Sequence, residues 1–214
     1  MADESHRSGG IYRVLEWPAV YDPLMRLLGG PAARKRFVDE FVRPPGAAKL
    51  LDVGCGTGVL LDDLPPGIVY VGVDVNAAYI ERARRRYGDR GEFFRARAGE
   101  DDLGGGRSGF DFVVAMALLH HLEDDEAKRL LDSAARLLRP GGAFVAIDPT
   151  LHERQAAAAR VLVSLDRGRR VRSPQGYRAL IETRFADIED RVLTDLLPIP
   201  YSHYVVKARS ASAR

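Results

Sequence analysis

Nine residues, Leu50-Leu51-Asp52-Val53-Gly54-Cys55-Gly56-Thr57-Gly58, constrain the fold more than any other stretch of the chain. The apolar run 50–53 reads as a buried parallel strand. Three glycines at alternate positions follow it, and glycine lets a backbone turn sharply and approach a ligand with no side chain between. A carboxylate, Asp52, sits inside the strand two residues before the first glycine. That place suits a cationic ligand and is poorly suited to a pyrophosphate. The dinucleotide pattern G-x-G-x-x-G is not met either, because Val59 stands where its third glycine would be.

The rest of the chain alternates in the same style. Strands are expected at 50–53, 69–73, 92–97, 110–115 and 143–147, with 59–64, 77–87 and 124–138 among the helices between them. The reading is of five strands with four intervening helices, a parallel, doubly wound α/β sheet. Pro140-Gly141-Gly142 reads as a turn between a helix and the fifth strand. Two late strands, 188–194 and 201–208, would close an antiparallel hairpin and bring the sheet to seven strands. Residues 1–10 are expected to be disordered, 11–209 to form a single domain, and 210–214 to be a tail. Within the domain, 11–46 reads as a helical lid and 150–184 as a helical insert.

Bulk properties exclude several classes. A length of 214 residues suits one domain with a sizeable core. The net charge of +2 gives no whole-molecule argument for nucleic acid. Arginine outnumbers lysine 28 to 4, which reads first as the coding bias of a GC-rich genome. One cysteine forbids an internal disulfide and fits a reducing compartment. No apolar run approaches the roughly 18 residues of a membrane span. The polar first ten residues lack a signal-peptide core, so a cytoplasmic protein is expected.

Four further segments carry chemistry. Asp74 ends the second strand, where a carboxylate can accept from both hydroxyls of a ribose. The acidic loop 98–103 follows the third strand and holds Glu100, Asp101 and Asp102. After the fourth strand comes Leu118-Leu119-His120-His121-Leu122, at the sheet end where a doubly wound fold places its ligand. Histidine there can serve as a general base near neutral pH. The fourth segment, Leu137-Leu138-Arg139-Pro140-Gly141-Gly142, is architectural.

Taken in order, these segments resemble the class I S-adenosylmethionine-dependent methyltransferases over roughly residues 48–149, in the small-molecule group with His-His-Leu after the fourth strand. The resemblance implies a Rossmann-like sheet and a site for S-adenosylmethionine. It implies that the backbone of Gly54, Cys55 and Gly56 lines the methionine part, with Asp52 acting through water or on the ammonium group. It gives Asp74 to the ribose, Val75 to the adenine face, Glu100 or Asp101 to the adenine amino group, and Ala115 to the border of the methyl donor. One departure is plain: Gly99 stands where the family often has Asp.

Methyl transfer needs an aligned nucleophile and excluded water, and a base only where the nucleophile carries a proton. Candidate bases are His121, His120, Tyr21 and Tyr12, with Asp148 at the end of the fifth strand on the substrate side. Tyr12 and Trp17 suit a lid over an organic substrate. The insert's arginines, among them Arg167, Arg169, Arg170 and Arg172, are candidates for an anionic group of that substrate. No metal site is expected, and oligomeric state is not written in the sequence. Three rivals differ in class: a cofactor-dependent cyclisation or decarboxylation without methyl transfer, an RNA methyltransferase resting only on the insert's charge, and an NAD oxidoreductase, the weakest.

Overall fold

The computed structural model describes residues 29–100, 103–164 and 170–210. Its centre is a seven-stranded sheet in the order β3-β2-β1-β4-β5-β7-β6. The strands are β1 (Lys49–Val53), β2 (Val69–Asp74), β3 (Gly91–Arg95), β4 (Phe110–Met116), β5 (Leu138–Pro149), β6 (Asp187–Leu193) and β7 (His203–Arg209). Five run parallel, and β7 is antiparallel to both β5 and β6. The strand order reverses between β1 and β4, which is where such sheets open a crevice at their carboxyl ends.

Burial on both faces explains the apolar strands. Leu51 and Val53 pack with Val71, Val113 and Phe144 under two helices, α3 (Asp124–Leu137) and α5 (Pro174–Glu182). Leu50, Tyr70, Val114 and Val145 face the other layer, built from α1 (Gly30–Phe37) and α2 (Ala77–Tyr87). The remaining helix, α4 (Ala157–Ser164), lies with α5 in the segment between β5 and β6. Local chemistry sets the helix starts. Asn76 caps α2 by accepting from the backbone of Ala78 and Tyr79. Glu123 and Glu126 form a capping box on α3, and Ser173 caps α5 ahead of Pro174.

Two expectations change. Pro140-Gly141-Gly142 is no turn between elements but part of β5, which starts at Leu138. Phe110 pairs with Leu138 and Phe112 with Ala143, so the extra residues bulge out of the ladder with Gly141 at φ 75°. The chain also needs fewer helices than expected. Among the described residues none joins β3 to β4, and the links from β1 to β2 and from β4 to α3 include short 3-10 turns, Val59–Asp62 and Leu119–His121.

Candidate active site

The glycine turn hooks over the end of β2: the N–H groups of Gly54 and Cys55 both donate to the Val73 carbonyl, at 2.8 and 3.0 Å. Its glycines differ in what surrounds them. A Cβ on Gly54 would meet Leu118 at 3.0 Å, and one on Gly58 would meet Phe93 at 2.9 Å. A Cβ on Gly56 would meet nothing within 4 Å, although the backbone there has φ 54°. Gly56 therefore presents bare backbone to open space.

Asp74 stands beside that opening. One carboxylate oxygen accepts from the Gly56 N–H at 3.0 Å, and the other from the Asn76 N–H at 2.8 Å. Burial raises its pKa, against the pull of those two N–H groups. Each oxygen keeps an acceptor position for a further donor. The next residue, Val75, is 51% exposed and offers an apolar surface at the same strand end.

Asp52 lies deeper than the expected role asks. It is buried, and its carboxylate accepts from the Tyr70 hydroxyl at 2.6 Å. Burial pushes its pKa up to about 7. Tyr70 was not singled out in the sequence, yet a signal was present. Gly72 sits opposite Asp52 in the ladder, and its missing Cβ leaves the space that Tyr70, Phe93 and the Cys55 thiol fill. Cys55 itself is buried, with its thiol pKa raised by the same desolvation.

The carboxyl ends of β4 and β5 form the second half of the site. His120 and Asp148, 28 residues apart, are both buried and bonded twice: Asp148 Oδ1 lies 3.0 Å from the His120 N–H and 2.7 Å from its Nδ1. Asp148 was expected on the substrate side; its oxygen is instead given to the histidine. Its other oxygen, Oδ2, is buried without a partner, and burial raises the Asp148 pKa while His120 holds it back. This contact fixes the Nδ1 edge of the ring on the carboxylate and turns Nε2 away from it. His121 is exposed, its ring 4.0 Å from that of His120. Ala115 is wholly buried on β4, paired with Ala146 of β5, and so offers no surface to the methyl donor it was expected to border.

The loops around this end correct other expectations. Gly99 has φ 87° and packs on α3, where a Cβ would meet Arg129 at 3.0 Å, so the chain has no room for the family's usual acid. Glu100 is exposed and accepts from the Arg97 N–H. Arg170 gives its backbone N–H to the His120 carbonyl and pairs its side chain with Glu123. Arg172 donates to the carbonyls of Leu119 and Leu122 and pairs with Asp124, so it straps the His120 turn and is not available to an anion. The Thr150 hydroxyl donates to the Arg172 carbonyl at 2.9 Å, closing the neck of the insert. Tyr12, Trp17, Tyr21, Asp101, Arg167 and Arg169 lie outside the described residues, as do the N-terminal ten and the first part of the lid. Among the described residues there is no cluster of metal ligands, and no helix is long and apolar enough to cross a membrane.

Comparison with known proteins bears on this geometry. A family model described as a methyltransferase domain matches residues 50–142, from β1 through the glycine turn, Asp74 and His120 into β5. An uncharacterized methyltransferase of Mycobacterium tuberculosis is 36% identical over 106 residues, which cover 49% of this chain and 52% of that protein. Over this stretch the chain is similar to methyltransferase domains. A human thiol S-methyltransferase is also similar, 31% identical over 141 residues, covering 62% of this chain and 54% of that protein. The chain thus spans about half the length of these methyltransferases. The fold agrees as well: the crystal structure of a TehB-like methyltransferase from Corynebacterium glutamicum superposes with a TM-score of 0.64 at 17% identity, covering 89% of this chain and 96% of that one.

Proposed function

We propose that the chain transfers a methyl group from S-adenosylmethionine to a proton-bearing nucleophile on a small organic molecule. The observation that carries this is the open face of Gly56 beside the half-buried Asp74, with the His120–Asp148 pair two strand ends away. The residues fit the cofactor. The backbone of Gly54, Cys55 and Gly56 would hold its methionine part, Asp74 its ribose, Val75 its adenine face, and Glu100 or Asp101 the adenine amino group. Bound there, S-adenosylmethionine supplies a methyl group already activated by a positive sulfur.

The protein's own part is to align the acceptor, exclude water and take up its proton. His120 is the base that the geometry favours, because Asp148 fixes its ring and steadies the imidazolium once Nε2 has taken the proton. His121 is the second candidate. An acceptor worth deprotonating is a phenol or a thiol more than an amine; the name of the human relative adds sulfur to the O, N and C atoms considered from the sequence. Calorimetric titration with S-adenosylhomocysteine and with NAD tests the cofactor. Micromolar binding of the first and none of the second is expected, and the reverse result removes the proposal.

A further inference from the structure

The described arginines of the insert divide into two kinds. Arg170, Arg172, Arg178 and Arg184 each pair with a carboxylate on a neighbouring element or on their own helix. Arg154 and Arg160 do not. Both are exposed, and among the described residues Arg154 has no carboxylate partner and the Arg160 guanidinium donates to the His152 carbonyl alone, at 3.2 Å. These two line one cavity of about 670 Å³, within the range that holds a small organic molecule. Leu151, Pro174 and Val192 give it an apolar wall and Ser173 and Gln175 a polar one, and Glu153 is the one carboxylate among the described residues that line it. His152 also faces it, and the imidazole Nε2 is buried without a hydrogen-bond partner. Two more such atoms, Asp148 Oδ2 and Ser202 Oγ, lie at the same end of β5 and its neighbour β7. Unpaired buried polar atoms are rare in folded proteins, and their concentration at one strand end marks a place shaped for something polar.

Position separates this cavity from the cofactor. Val192 is on β6, four strands from β1, roughly 19 Å away at the usual strand spacing. Its near wall is closer to the chemistry: Leu151 follows Asp148 by three residues, a reach of at most about 11 Å. We propose that this cavity is the anchoring subsite for the methyl acceptor, and that the acceptor is a carboxylate with an apolar body. The guanidinium groups of Arg154 and Arg160 receive the carboxylate, Leu151, Pro174 and Val192 receive the hydrocarbon, and the nucleophilic end extends toward His120. This assignment rests on the reading of the chain as a small-molecule methyltransferase.

The test compares 4-phenylbutyrate with its neutral amide by calorimetry on the full chain, with and without S-adenosylhomocysteine. Wild-type protein is expected to bind the carboxylate at least about tenfold more tightly than the amide, the scale of a charge-assisted contact. Joint replacement Arg154→Gln and Arg160→Gln should abolish that preference and leave amide binding unchanged, while Arg154→Lys with Arg160→Lys retains part of it. Equal binding of the two probes, no binding of either at millimolar concentration, or an undiminished preference in the Gln variant overturns the subsite. Binding of S-adenosylhomocysteine alone reads the cofactor assignment separately, so either idea can fail without the other.

Discussion

The two halves of the crevice are built differently. At the end of β1 and β2 the machinery is main chain: a turn of glycines, its N–H groups and one carboxylate that receives them. At the end of β4 and β5 it is side chain: a buried histidine oriented by an aspartate from another strand, with an arginine strap across the turn. Main chain suits a ligand that does not change between relatives, since backbone geometry tolerates few alternatives. Side chains suit a partner that does change. The difference predicts that changes in the first half alter cofactor affinity, and that changes in the second alter turnover.

The largest expected effect breaks this division if it is wrong. His120→Gln or Asp148→Asn should lower kcat by about 100- to 10,000-fold, the usual worth of a positioned base, with S-adenosylhomocysteine affinity unchanged. A pH–rate profile that loses its acidic limb in His120→Gln but keeps it in His121→Gln would assign the base. The opposite pattern would move it to His121. Asp74→Ala comes next. Losing a charged acceptor should cost about 1.5–3 kcal/mol of S-adenosylhomocysteine binding. Calorimetry that shows no loss would mean that Asp74 serves only the Gly56 and Asn76 N–H groups.

Two glycines sharpen the contrast inside the first half. Gly56→Ala puts a methyl group into open space at positive φ, with about 1–2 kcal/mol of backbone strain. Its ligand affinity should fall further than its thermal stability. Gly58→Ala drives a methyl group into Phe93 and Tyr87, and there the melting temperature should fall first. The smallest effect concerns Asp52. Its folded-state pKa, raised from 3.8 to about 7, means that the folded protein holds a proton which the unfolded chain releases. Stability is then greatest below about pH 4 as far as this group is concerned, and falls as pH rises toward 7. Asp52→Asn should flatten that fall, as urea unfolding at pH 5 and pH 8 would show.

What could be read from the sequence follows the same line. The strand 50–53 and its glycines are local signals, and turn chemistry at successive residues is visible without a fold. The His120–Asp148 pair is not local. Both residues could be named as functional, but only the parallel register of β4 and β5 makes them partners. Asp52 and Tyr70 illustrate the same limit: adjacent strands and a glycine opposite the carboxylate join them. Pro140-Gly141-Gly142 shows the converse. Its composition is that of a turn, and the ladder on either side absorbs it as a bulge. The arginines of the insert looked equivalent as a charge run, whereas pairing with Glu123, Asp124, Asp132, Glu182 and Asp190 sorts them.

The contact between the Thr150 hydroxyl and the Arg172 carbonyl has a consequence for how such a protein can diversify. The residue that leaves β5 and a residue just before α5 are held 2.9 Å apart, so the segment between them is tied at its base by a closed gate. Lengthening such a loop adds only about 0.6 kcal/mol of closure entropy for each doubling of its length. Residues 151–169 can therefore be exchanged as a cassette, and a new acceptor accommodated, while Arg170, Arg172 and the gate keep the histidine turn in register.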